Sequence, residues 1–326
     1  MAKTQEQSPP LIGPMKLNDL LGCVGAATFL LFASMFIPLI GPFFSLLIPL
    51  PFLYYSTKLG VKEGFKLALI SLLFAALLFA LLGHPEAIFL CLEFSLLGLV
   101  IGEVYRRGWK IGFSVLVATS SVLLIGLMIL TVAGLRQGMG PLDLAYFYVE
   151  TSLHQSLHIY ETMGATPEKA KEFSEYLAAV AEVVSKIYPS LLIIGTGSIV
   201  WFNMIVSRPL FQMKRLAYPP YGALDQWRCS EGMVWGVIAA GFSLFLPLPS
   251  VKWFATNALI VMMAVYVYQG LSILLFFLNK YRVPAWIRFG AYLLILFQQV
   301  FVIGLAAAGL FDQWVDFRRI HSRKVE

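Results

Sequence analysis

The sequence predicts an all-α fold: a polytopic transmembrane helical bundle of eight to nine spans with one extramembrane helical excursion. Three observations predict it. Hydrophobic runs of about 20 residues recur along the chain, the length a helix needs to cross roughly 30 Å of hydrocarbon. Hydrophobic residues make up 59% of the 326 and charged residues only 13%, more apolar surface than a soluble domain can use. Lys and Arg gather in the short connections between the runs, as in cytoplasmic loops of membrane proteins.

Taken in order, residues 1–17 are polar and Pro-rich and are expected to form a disordered arm, with no cleavage site after the first apolar run. Residues 18–135 form an N-terminal membrane bundle of five candidate spans: Leu20 to Ile37, Phe43 to Tyr55, Phe65 to Leu82, Ala87 to Val104 and Ile111 to Leu135. The second is short and carries Pro49 and Pro51, so it should kink and leave carbonyls that need other partners. Residues 136–187 are an extracytoplasmic amphipathic segment. A C-terminal bundle follows over 188–311, with candidate spans Tyr188 to Val206, Met233 to Leu248, Trp253 to Leu278 and Phe289 to Leu310. Residues 312–326 are a charged tail.

The cationic loops at Lys58 to Lys66, Arg106 to Lys110 and Arg208 to Arg228 fall on one side if the N-terminus is cytoplasmic. That places the protein in a bacterial inner (plasma) membrane with the 136–187 segment outside. Nine spans put Arg318, Arg319, Arg323 and Lys324 outside, against the rule. Eight, with Met233 to Leu248 re-entrant, returns them inside but moves Lys280, Arg282 and Arg288 out, so both counts stay open. The net charge of +6 belongs to these loops and does not call for a nucleic acid.

The fourth span, AIFLCLEFSLLGLVIGEV, holds Glu93 near its middle. An acid at a helix centre costs about 2.5–3.5 kcal/mol to insert, taking Glu as similar to Asp, while Leu, Ile, Phe and Val each return roughly 0.3–0.6. Ten such residues lie from Ile88 to Ile101, so the return is about 3–6 kcal/mol and the helix still inserts. A bare carboxylate in hydrocarbon would neutralise first, so Glu93 is expected to be protonated or to face a partner or a water-filled cavity. It reads either as a ligand, ion or proton site or as an interhelical hydrogen bond. Gly98 and Gly102 form a GxxxG step that lets another helix come close. Gln269 and Asn257 are polar groups inside later spans, as candidate ligand contacts or as bonds between helices.

In the excursion, Glu150, His154, His158 and Glu161 recur at helical spacing on one face. Two His four apart with flanking carboxylates can bind a divalent metal, although the HExxH order is missing; a polar face of an interfacial helix is the alternative. Thr166-Pro167-Glu168 is a helix start, and Phe173, Leu177, Val180, Val184 and Ile187 form an apolar stripe after it. This second helix is expected to lie on the membrane or to cap the bundle. The three cysteines, Cys23, Cys91 and Cys229, lack metal or disulfide spacing. No nucleotide, cofactor or hydrolase motif is visible, which points away from an enzyme and from ATP use by this chain itself.

The stretches YVYQGLSILLFFLNK (Tyr266 to Lys280) and GLFDQWVDFRRI (Gly309 to Ile320), with the proline-broken second helix and the acidic excursion, resemble the YybS-like family of bacterial membrane proteins. The N-terminal part of that family is similar to the substrate-binding S-components of energy-coupling-factor transporters. The resemblance implies a bundle that binds a small molecule while a separate ATPase module supplies energy. It also implies that small residues of the first helix, here Gly22 and Ala26, contact that module. The extra C-terminal helices depart from this pattern. The rival reading is a non-transporting scaffold or regulator that docks a partner through Asp312, Asp316, Arg318 and Arg319; the basic 208–228 loop is the internal alternative for the same tail.

Overall fold

The computed structural model describes residues 15–37, 40–84, 87–140, 143–144, 147–148, 150–151, 162, 167–214, 216, 218–219 and 221–318. Among them the regular structure is all helical, with no strand. The helices are α1 (Leu17–Phe36), α2 (Gly41–Ser45), α3 (Pro49–Leu59), α4 (Val61–Leu81), α5 (Ala87–Arg107), α6 (Ile111–Gln137) and α7 (Pro167–Met213). After a short 3₁₀ turn (Leu224–Gln226) come α8 (Met233–Ser243), α9 (Pro249–Lys280), α10 (Ala285–Phe297) and α11 (Gln299–Val315).

Six of these are long and apolar enough to span a membrane: α1, α4, α5, α6, α7 and α9. The pair α10 and α11 would be a seventh, but it is bent by 101°. The expected count of eight to nine therefore exceeds what the helices supply. Three of the expected spans account for the difference. Phe43 to Tyr55 is two helices of 5 and 11 residues, because Pro49 opens a new first turn, where a missing N–H costs nothing. Met233 to Leu248 contains a helix of only 11 residues, about 16 Å long, against roughly 30 Å of hydrocarbon. Phe289 to Leu310 breaks at Gln298, whose backbone is extended.

Two compact units divide the chain, one of residues 1–136 with 195–220, the other of 137–194 with 221–326. The segment Gly195–Pro220 thus groups with the N-terminal helices. In this first unit the core is built from α1, α3, α4 and α5, with Cys23, Leu31, Phe52, Leu67, Phe79 and Cys91 buried. Helix α5 lies tight on α3. A Cβ on Gly98 would stand 2.5 Å from the Pro49 carbonyl oxygen, and one on Gly102 would collide with the Ser56 hydroxyl. The GxxxG step is thus a seat for the proline-started helix. The break before α3 frees the Leu46 carbonyl, which accepts from Asn203 Nδ2 at 2.9 Å. Tyr105 donates to the Met204 carbonyl at 3.0 Å and lies 2.7 Å from the Ser207 hydroxyl, tying α5 to the end of α7.

In the second unit, α9 and α11 touch backbone to backbone. A Cβ on Gly270 would strike the Leu305 carbonyl, and one on Gly309 the Tyr266 carbonyl. The expected helix start at residue 167 and the span Tyr188 to Val206 turn out to be parts of one 47-residue helix, α7.

Candidate functional site

The candidate polar sites of the two units differ in how completely their hydrogen bonds are spent. In the first unit, Glu93 is on the exposed side of α5 and no hydrogen bond or ion pair engages it among the described residues. Its neighbours Cys91, Phe94 and Ser95 turn inward, with Ser95 donating to the Leu92 carbonyl at 2.9 Å. The other acids of the spanning helices in this unit are paired. Asp19, buried in the first turn of α1, binds Lys58. Glu63 binds Lys66 at 2.7 Å, and Glu103 binds Arg106 at 2.7 Å and Arg107 at 3.2 Å. Gly22 is covered by the Tyr55 phenol of α3, whereas Ala26 faces outward.

In the second unit, Asn257 and Gln269 are buried and fully used. Pro189 sits inside α7, where it has no N–H to give and crowds the preceding turn. Asn257 reaches across from α9. Its Oδ1 accepts from the Ser190 N–H at 3.0 Å, and its Nδ2 donates to the Lys186 carbonyl at 2.9 Å. These are the two groups that an uninterrupted helix bonds to each other. The same Nδ2 also reaches the Trp253 carbonyl, at 2.9 Å.

Gln269 belongs to a larger network. Its Oε1 accepts from the Cys229 backbone N–H at 3.1 Å and lies 2.7 Å from the Cys229 thiol, and its Nε2 donates to Asp312 Oδ2 at 3.0 Å. Asp312 is wholly buried and pairs with Arg318 at 2.9 Å, while Arg228 approaches it at 3.5 Å and Asp316 at 3.4 Å. Arg318, itself only 2% exposed, also donates to the carbonyls of Asp225 (2.9 Å) and Trp227 (3.0 Å) and to the Ser272 hydroxyl (2.8 Å). Two arginines and two aspartates make the cluster electrically neutral, which is the condition for burying it.

The local chain explains how the tail arrives there. Helix α11 ends at Val315, Asp316 turns left-handed (φ 43°), and the Phe317 N–H returns to Asp312 Oδ1 at 3.0 Å. Asp312 therefore caps its own helix end while holding Arg318. Burial pushes the Cys229 thiol up, so it stays protonated near neutral pH.

Sequence reasoning singled out Glu93, Asn257, Gln269, Asp312, Asp316 and Arg318. The structure brings Gln269, Asp312, Asp316 and Arg318 into one cluster; Asn257 bonds to Ser190 and Lys186 instead, and Glu93 belongs to the first unit. Glu150 is exposed; His154, His158 and Arg319 lie outside the described residues, as do residues 1–14 of the expected arm. Pro189 and Ser272 were not foreseen. Pro189 inside a predicted span was the available signal; for Ser272 there was none.

The family model described as "Predicted membrane protein (DUF2232)" matches residues 25–313. The uncharacterized protein YybS of Bacillus subtilis (strain 168) is 21% identical over 290 residues, covering 87% of this chain and 91% of that protein. No solved structure matches. Several apolar helices long enough to span a membrane agree with that description, and the chain belongs to the DUF2232 family of predicted membrane proteins.

Proposed function

We propose that this membrane protein is a small-molecule-binding protein of transporter type, with Glu93 as the group that receives a cation, a proton or a basic ligand. One observation carries the reading. Glu93 is a carboxyl within a spanning helix that no side chain neutralises among the described residues, while Asp19, Glu63 and Glu103 of the same unit are all paired. A charge at that depth is costly, and intramembrane acids that persist there serve substrate, ion or proton paths. Asn257 and Gln269 are not part of this proposal, since their amides are consumed by the fold. The reading places the protein in the plasma membrane with the N-terminus cytoplasmic, following the Lys and Arg loops. Energy would come from a separate ATPase module, and the outward-facing Ala26 is available for that contact.

The experiment compares purified wild type with Glu93→Gln by mass spectrometry for a co-purifying small molecule. Loss of that molecule, at unchanged expression and melting temperature, is the expected result. Equal retention by both proteins overturns the role of Glu93.

A further inference from the structure

The second unit contains an open cleft of about 660 Å³ between α7 and the start of α9, lined among others by Val183, Lys186, Ile187, Lys252, Trp253 and Thr256. Its walls are mainly apolar, and two lysines, Lys186 and Lys252, belong to the lining. The Lys252 side chain has no hydrogen bond or ion pair among the described residues. Lys186 is held from one side by Glu182 at 2.7 Å, and an exposed ammonium has further donors to offer. The two helices are fixed to one another beside it, because Asn257 of α9 binds the Lys186 carbonyl and the Ser190 N–H of α7.

We propose that this cleft is a binding site for an anionic phospholipid, its phosphate between Lys186 and Lys252 and an acyl chain along Val183, Ile187 and Trp253. Three features select that occupant. Both helices are long and apolar enough to span a bilayer, and the cleft lies at the first turns of α9, the end at which a span meets the headgroup level. An apolar wall beside paired cations matches a molecule with a hydrocarbon part and an anionic head. Trp253, on the cleft wall, has the amphipathic ring that favours the headgroup level. The inference does not depend on the role of Glu93.

The test is native mass spectrometry of the detergent-solubilised full chain, equilibrated with equal amounts of dioleoyl phosphatidylglycerol and dioleoyl phosphatidylcholine. One phosphatidylglycerol should be retained in preference. K186Q/K252Q should lower its retention about tenfold, toward the phosphatidylcholine level. Retention unchanged in the double variant overturns the proposal. Soluble glycerol phosphate should not displace the lipid; if it does, the site takes free anions and the lipid assignment fails. Should the double variant fold poorly, the wild-type protein decides. A phosphatidylglycerol carrying a photoreactive acyl chain should crosslink within residues 183–187 or 249–256, and crosslinks confined to other segments overturn the proposal.

Discussion

The side-chain amide of Asn257 stands in for a peptide group beside Pro189. It accepts from Ser190 and donates to Lys186, at 3.0 and 2.9 Å, across the rung where the proline disturbs α7. The 47-residue helix thus passes through an internal proline. Asn257→Ala would strand a buried donor and an acceptor and is expected to cost about 1–3 kcal/mol. In a Pro189→Ala background α7 can close its own rung, so the same substitution should cost distinctly less. A double-mutant cycle on thermal unfolding measures this. Additive effects of the two changes would show that the amide and the proline are not coupled.

Asp312→Asn should be among the most damaging single changes in the second unit. It removes the charge that balances Arg318, which is buried with it at 2.9 Å. Breaking a buried pair in this way costs about 3–5 kcal/mol. Glu103→Gln serves as the control. Its pairs with Arg106 and Arg107 are partly exposed, and such pairs are worth about 0–1 kcal/mol. Melting temperatures of the two variants in one detergent should differ clearly, with Asp312→Asn the lower.

The α9–α11 contact predicts a sharp difference between glycines of one helix. Gly309→Ala drives a methyl into the Tyr266 carbonyl, which is backbone and cannot step aside. A cost of at least about 1–3 kcal/mol is expected. Gly304→Ala, on the same helix, meets nothing within 4 Å and should be neutral or mildly stabilising. Equal melting temperatures for the two would contradict the close approach.

Cys229 reports on the tail. Its thiol lies 3.1 Å from Gln313 and is pushed up by burial. The thiolate is the reactive form, so alkylation by a soluble maleimide at neutral pH should be slow and should rise as the pH is raised. Truncation after Leu310 removes Gln313, Asp312 and Arg318 together. Labelling of Cys229, followed by peptide mass spectrometry, should then accelerate several-fold. An unchanged rate would mean that the tail does not cover this residue.

Helix class and most spans were legible because hydrophobic runs report burial in lipid directly, as in α1, α4, α5, α6 and α9. Misread elements turned on partners far away in sequence. Pro189 does not end α7, since the rescuing amide comes from α9. Pro49 starts a helix where a kink was expected, and Asn203 takes the freed Leu46 carbonyl. Gln298, which lies within the expected span Phe289 to Leu310, is the corner between α10 and α11; apolar residues on both sides hid it. Glu93 was conspicuous in sequence because it is costly. Asp312 and Arg318 were visible as charges, but their depth was not, since burial depends on the glycine contact that draws α11 against α9.

The cluster around Arg318 also imposes an order on biosynthesis. Arg318 bonds to Asp225, 93 residues earlier, and Asp312 bonds to Gln269, 43 residues earlier. When α9 leaves the ribosome, Gln269 and Ser272 face the bilayer or its insertion machinery with their later partners still unmade. Ser272 can already reach the Leu224 and Trp227 carbonyls, and the Gln269 oxygen the Cys229 N–H, but the Gln269 Nε2–H waits for Asp312. A chain released before Asp312 would keep that N–H without its acceptor. That open amide is a chemical difference between an unfinished copy and a finished one.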